Sequence, residues 1–307
     1  MSNTAQKLQE LQQNELMQAA LKKALLWLGE PENATVQILH KGGQGAIFRA
    51  ESPKYPYPLS IKTPLFNDKY DVEEFQELLR TDWEIQSLGA KTDHTLFPEL
   101  VYCDPEGDFL IRQYVEGQEL HSAIKTASPQ ERLELFLKAT ELTAKVFHAF
   151  HDAPPKCYLL RDYRPKNILV ENKSHRLYLI DCGSTEVEET NQKKKEKKNL
   201  SRLGDGGYES WAPERLLDNR ELVDRRIDFY SYGVMSYRIL YNKFAYSNEI
   251  SDPEEAWKVF HQEYHTAEAT IRADERLKQI RPELVEQLIG CLHPDAHKRF
   301  CGKLITP

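Results

Sequence analysis

Apolar and polar positions along the chain change period twice. Over residues 5–28, Leu8, Leu11, Leu21, Leu25 and Leu28 recur at near-helical spacing, which predicts an amphipathic helix ended by Gly29, Pro31 and Asn33. This reads as an N-terminal helical extension, residues 1–30, packed on the main body. From Thr35 the pattern shortens to β-type runs, TVQILH, AIFRA and PLSIK, separated by Gly, Pro and Ser. A helix is expected from about Asp71 to Leu88, then strands around Leu100–Cys103 and Phe109–Val115.

Past Gly117 the helical period dominates. Ser128-Pro129-Gln130-Glu131 is a capping box with proline in the first helical position. It opens a helix whose buried face is expected to be Leu135, Ala139, Leu142, Val146 and Phe150, ended by Pro154 and Pro155. Asp252-Pro253-Glu254-Glu255 repeats the start signal. The expected architecture is therefore α+β. A small β-rich lobe covers residues 31–117 and a larger, mainly helical lobe covers 118–307, with a ligand cleft expected between them.

Composition narrows the class of protein. The chain has 307 residues, 40% hydrophobic and 29% charged, with net charge −7. That suits a sizeable core and gives no general bias toward nucleic acid. No apolar run approaches the ~20 residues of a membrane span, and the N-terminus has no signal-peptide core. The five cysteines are scattered without a CxxC pair. Reduced thiols and a cytoplasmic location are the expectation, with signal-independent secretion as an effector the alternative.

Four segments carry candidate chemistry. Lys41-Gly42-Gly43-Gln44-Gly45 lies between two strands, where glycines let a backbone approach phosphate oxygens. It is neither a Walker loop nor a dinucleotide fingerprint. Lys62 ends an apolar strand, and a carboxylate on the following helix would fix it over phosphates. Glu84 is the first choice and Glu77 the second. Arg161-Asp162-Tyr163-Arg164-Pro165-Lys166-Asn167 is a polar loop directly before the apolar strand Ile168-Leu169-Val170. Leu177-Tyr178-Leu179-Ile180 then leads into Asp181-Cys182-Gly183. A carboxylate and an amide oxygen suit Mg²⁺ when phosphates and water complete its shell, and a second carboxylate can take a hydroxyl proton.

In this order the segments resemble the eukaryotic-type protein kinase family, from about Thr35 to Arg299. Its glycine-rich loop, strand lysine, helix glutamate, Arg-Asp…Asn loop, Asp-x-Gly and Ala-Pro-Glu correspond to Gly42–Gly45, Lys62, Glu84, Asp162…Asn167, Asp181-Cys182-Gly183 and Ala212-Pro213-Glu214. The resemblance implies a bilobal fold and a serine/threonine-type protein kinase using ATP with Mg²⁺ or Mn²⁺. It implies Asp162 as catalytic base and Arg164 at the γ-phosphate, in place of the usual lysine. Lys62 would hold the α- and β-phosphates and pair with Glu84. Asn167 and Asp181 would hold the metal. Gly42, Gly43 and Gly45 would cover the phosphates, with Ile47, Ser60 and Leu169 around the adenine. It also implies Asp228 bracing the catalytic loop and Arg299 pairing with Glu214.

Departures from the family pattern concentrate where substrate is chosen. His40 replaces the first loop glycine, Leu160 the histidine before Arg-Asp, and Cys182 the phenylalanine that packs on the Glu84 helix. Arg112 falls at the gatekeeper position, where a charge must be paired or point outward. Gly207 stands where a serine/threonine-type threonine is usual. The activation segment carries Lys193-Lys194-Lys195-Glu196-Lys197-Lys198, a solvated run or a dock for an acidic partner or anion. Thr185, Thr190 and Ser201 are acceptors whose phosphate could pair with Arg161. A small-molecule or lipid-headgroup kinase and a pseudokinase binding module are the alternatives to a protein-phosphorylating enzyme.

Overall fold

The computed structural model describes residues 15–29, 36–42, 45–64, 72–152, 156–188, 210–216, 222–245 and 253–307. Gly43, Gly207, Thr190, Ser201 and the Lys193–Lys198 run lie outside the described residues. The chain forms two compact units, Met1–Glu116 with Asp181–Ser184, and Gly117–Ile180 with Thr185–Pro307. The first unit is built on a β-sheet and the second is mainly helical, the α+β division expected from the sequence.

The first unit is built on an antiparallel sheet of β1 (Val36–Gly42), β2 (Gly45–Ala50), β3 (Leu59–Thr63), β4 (Leu100–Cys103) and β5 (Leu110–Gln113), in the order β1-β2-β3-β5-β4. Side chains alternate across a pleated sheet, so each strand divides its residues between two faces. Ala46, Phe48, Ala50, Leu59, Ile61 and Ile111 form one face, and α1 (Glu15–Leu28) closes it with Met17, Ala24 and Leu28. Trp27 stacks on Tyr102 at 4.2 Å between ring centroids. Lys23 clips the helix down, reaching Asp104 at 2.9 Å and Asp108 at 2.8 Å. Leu16 and Leu26 point to solvent. α2 (Val72–Thr92) buries Phe75, Leu79, Asp82, Ile85, Gln86 and Gly89.

In the second unit β6 (Gly117–Glu119), β8 (Ile168–Glu171) and β9 (Leu177–Leu179) form a sheet, and β7 (Tyr158–Leu159) pairs with β10 (Glu186–Val187). The helices are α3 (Leu120–Thr126), α4 (Pro129–Phe147), α5 (Pro213–Leu216), α6 (Arg226–Tyr241), α7 (Pro253–Arg272), α8 (Glu275–Ile280) and α9 (Pro282–Cys291). α4 starts on the Ser128 capping box, with both reciprocal bonds present. Its buried face is Leu133, Phe136, Ala139, Leu142 and Val146. Leu135, expected inward, is only half-buried, because the i, i+3 step through Leu133 and Phe136 sets the phase. α6 is buried nearly all round, from Ile227 to Leu240. Such a helix is the centre of a core rather than its cover.

Candidate active site

The first unit presents a charged face opposite its apolar one. β2, β3 and β5 pair Ile47 with Lys62, Arg49 with Ser60, and Ser60 with Arg112, so these residues share one side of the sheet. Lys62, Ser60 and Arg112 are all buried. Lys62 Nζ lies 2.9 Å from Asp181 Oδ2 and 3.4 Å from Asp82 Oδ2. The expected pairing of Lys62 with Glu84 is therefore corrected: the helix carboxylate is Asp82. The reason is helical phase. Asp82 continues the inward stripe Phe75, Leu79, Gln86, whereas two further residues rotate Glu84 by about 200° into solvent. The stripe was visible in the sequence and would have selected Asp82.

Asp82 also organises the Asp181-Cys182-Gly183 segment. Its Oδ1 accepts the Cys182 backbone N–H at 2.7 Å and Gln86 Nε2 at 2.5 Å. The loss of an aromatic at Cys182 is thus offset by a buried, charge-assisted bond to the helix. Asp181 Oδ1 accepts the Gly183 N–H at 3.0 Å, which fixes the carboxylate's second oxygen. Two acids, Asp82 and Asp181, and two bases, Lys62 and Arg112, meet in one buried cluster.

The cluster perturbs each titration. Burial alone would lower the Lys62 pKa, but Asp181 and Asp82 overturn that and raise it, with Arg112 opposing. Burial raises the Asp82 carboxyl against the pull of Lys62. Burial also acts upward on Asp181, yet Lys62 and the Gly183 N–H hold it below the usual carboxylate range. The Cys182 thiol, pushed well up by burial, is inert at neutral pH. The charge at Arg112 points inward, and its field reaches Lys62, Asp82 and Asp181.

Gly42 and Gly45 face each other at the end of the β1–β2 ladder. Gly45 has φ +142°, and a Cβ there would sit 2.5 Å from the Thr63 carbonyl oxygen. Only glycine fits that approach.

The second unit holds the Arg161–Asn167 loop, which the sequence marks as the candidate catalytic loop. Asp162 lies on it with Arg164 Nε 3.0 Å from its Oδ1 and Asn167 Nδ2 2.9 Å from its Oδ2. Asn167 Nδ2 also donates to the Asp162 carbonyl at 2.8 Å. Both carboxylate oxygens are thereby directed, Oδ2 through the amide nitrogen of Asn167 rather than its oxygen. Leu169 follows on β8, half-buried and paired with Glu119 and Tyr178.

The loop is held from beneath. Asp228, fully buried on α6, accepts the backbone N–H groups of Leu160 at 2.8 Å and Arg161 at 2.9 Å. His151 Nε2 meets the same carboxylate at 3.0 Å. These bonds hold Arg161 at φ +63°, a left-handed conformation costing about 1–2 kcal/mol for a residue with a Cβ. Tyr163 OH bonds Thr143 on α4 at 2.8 Å. His151, placed near a helix end by the sequence, is thus part of the loop's foundation. Arg161 is paired with Glu186, the residue after the buried Thr185. Arg299 makes a bidentate pair with Glu214, at 2.5 and 3.0 Å.

Asp181 in the first unit and Asn167 in the second each carry an oxygen donor of the kind a hard divalent cation takes. Among the described residues no group of three or more His, Cys, Asp or Glu forms a closed metal cage. A single donor of this type takes magnesium only when phosphate oxygens and water complete the shell.

Comparison with known proteins agrees with this architecture. The family model of the protein kinase domain matches residues 37–305. The chain is 26% identical to serine/threonine-protein kinase pkn2 of Myxococcus xanthus, over 69% of this chain and 24% of that protein. It is 25% identical to receptor-interacting serine/threonine-protein kinase 3 of Homo sapiens, over 70% of this chain and 39% of that protein. It is 24% identical to the L-type lectin-domain containing receptor kinase V.5 of Arabidopsis thaliana, over 86% of this chain and 39% of that protein. The chain thus spans between a quarter and two fifths of the length of these relatives. The match over 37–305, with the Lys62–Asp82–Asp181 cluster and the Asp162–Asn167 loop within it, means that the chain belongs to the protein kinase family.

Proposed function

We propose that this protein transfers the γ-phosphoryl group of ATP to a serine or threonine hydroxyl of a protein, with Mg²⁺. The observation that carries the reading is Asp162, whose carboxylate is oriented from both sides by Arg164 and Asn167. The acceptor oxygen attacks the γ-phosphorus, the bond to the β–γ bridging oxygen breaks, and the hydroxyl proton passes to Asp162. Arg164, beside that carboxylate, neutralises charge on the phosphoryl group and restrains Asp162. Lys62 binds the α- and β-phosphates and Asp82 holds Lys62 in place. Gly42, Gly43 and Gly45 cover the phosphates, and Ile47, Ser60 and Leu169 contact the adenine. Asp181 and Asn167 would hold Mg²⁺, which supplies charge neutralisation at the phosphates.

One observation favours a second reading. Asp181 is bound to Lys62 and lies in the field of Arg112, so a cation must compete for it. A pseudokinase binding module would tolerate that arrangement. Incubation with γ-labelled ATP and Mg²⁺, followed by mapping of labelled residues, separates the two. Label on serine or threonine of the protein or an added substrate supports the enzyme, and nucleotide binding without label transfer supports the module.

A further inference from the structure

Arg161, the residue before the candidate base, is held through both its backbone and its side chain. Its N–H is fixed by Asp228 at 2.9 Å, and its carbonyl accepts from Arg215 Nη1. Its guanidinium is paired with the carboxylate of Glu186. Backbone pairing puts Glu186 there. It faces Leu159 across β10 and β7, and the Glu188 N–H donates to the Cys157 carbonyl at 2.8 Å. β7 runs directly into Leu160 and Arg161, so the acid is in register with the strand that feeds the loop. Thr185, one residue before Glu186, is buried, and its hydroxyl is shut away from solvent.

The surroundings of Arg161 demand an acid. Arg215 lies 3.7 Å over the Trp211 ring, which orders its guanidinium beside the loop. Burial, then the field of Arg161, brings the Arg215 pKa down to about 9, against the upward pull of Asp162, Asp228 and Glu186. The neighbouring guanidinium groups thus repel each other. The Nε–H of each is buried and meets no acceptor among the described residues. The other nearby acids are engaged elsewhere: Asp162 by Arg164 and Asn167, Asp228 by backbone N–H groups and His151. Glu186 is the carboxylate directed at the Arg161 guanidinium.

We propose that Glu186 is a positioning residue for the transfer reaction: its carboxylate supplies in advance the negative charge that Arg161 requires, so the loop carrying Asp162 is ordered without a phosphate on the chain. This role rests on the protein-kinase reading and adds the regulation of the same site. Sequence alone leaves Arg161 open to a phosphate on Thr185, Thr190 or Ser201. A phosphate reaching Arg161 would have to displace Glu186, and two anions crowded on one guanidinium repel each other. Modification there would disturb the loop rather than order it. The chain is set for constant rather than phosphate-switched activity.

The test uses the full chain, stripped of phosphate by a protein phosphatase that is then removed, with mass spectrometry to confirm the phosphate-free state. Label transfer from ATP with Mg²⁺ to a serine-containing protein should run without a lag, at a rate within about twofold of protein preincubated with ATP. Glu186→Gln should lower kcat roughly tenfold and leave KM for ATP within about twofold, because Lys62 and the glycine turn lie in the first unit. Glu186→Asp keeps the charge and should recover kcat to within about threefold of wild type. Hydrogen exchange at the Leu160 and Arg161 amides gives a readout independent of transfer, and should quicken roughly tenfold in Glu186→Gln. A lag that ends as phosphate is incorporated, or an unchanged kcat in Glu186→Gln, overturns the role of Glu186 and leaves the kinase reading intact. Absence of transfer in every form overturns the kinase reading. Exchange then decides Glu186 by itself: faster exchange in Glu186→Gln upholds it as the counter-charge of the loop, and unchanged exchange overturns it.

Discussion

Replacing Asp82 with asparagine tests the corrected lysine partner most sharply. The change keeps the shape and an acceptor for the Cys182 N–H but removes one of two negative charges facing Lys62. Asp82 is fully buried and Lys62 retains Asp181 at 2.9 Å, so the pair is weakened rather than orphaned. Removing one partner of a buried pair costs about 3–5 kcal/mol when nothing replaces it. With Asp181 still present, about 2 kcal/mol of Lys62 positioning should be lost, which is roughly thirtyfold in rate. The assay is kcat/KM for label transfer from ATP, beside thermal unfolding to confirm that the variant folds. Glu84→Gln, at an exposed position on the same helix, is the control and should stay within about twofold. A disabled Glu84→Gln with an unaffected Asp82→Asn would refute the assignment.

Three further outcomes follow from the same geometry. Arg112→Met removes a positive charge worth about 1 kcal/mol at Asp181, so the half-saturating Mg²⁺ concentration for turnover should fall roughly fivefold; an unchanged value contradicts the charge-balance argument. Met17→Ala should destabilise the protein by about 2–4 kcal/mol in urea unfolding, because a fully enclosed side chain under α1 leaves a cavity; a loss near zero would mean that the helix does not cover the sheet in solution. Asp224 and Asp274 are acted on upward by burial, but hydrogen bonds from Arg226 and Arg276 hold both below the usual carboxylate range. A lowered folded pKa gives stability that is complete above the unfolded value near ~4 and lost on further acidification. Asp82, raised by burial, acts in the opposite sense, so the comparison is of the wild type with Arg276→Met, whose Tm should fall less between about pH 5 and pH 3.

The fold was legible where local signals agree. The glycine turn, the period-two strands and the Ser128 capping box each specify their element without help from distant contacts. The catalytic loop was legible because polar residues stand directly before an apolar strand, an arrangement a buried strand does not tolerate without cause. What escaped depends on phase and register. Asp82 and Glu84 are two residues apart, and only the buried stripe of α2 distinguishes them. The inward aim of Arg112 follows from its pairing with Ser60, a long-range register that no local pattern carries. The one-residue step of α4, about 100° of rotation, that brings Phe136 inward in place of Leu135 has the same origin, since both are apolar and propensity cannot choose between them. His151 and Glu186 became readable only once tertiary packing placed them against Asp228 and Arg161.

The most direct test of phosphotransfer by Asp162 compares the wild type with Asp162→Asn, using γ-labelled ATP and Mg²⁺ with nucleotide affinity measured in parallel. Label transfer should be abolished in the variant while ATP affinity stays within a few-fold of wild type. Full transfer by Asp162→Asn would contradict it.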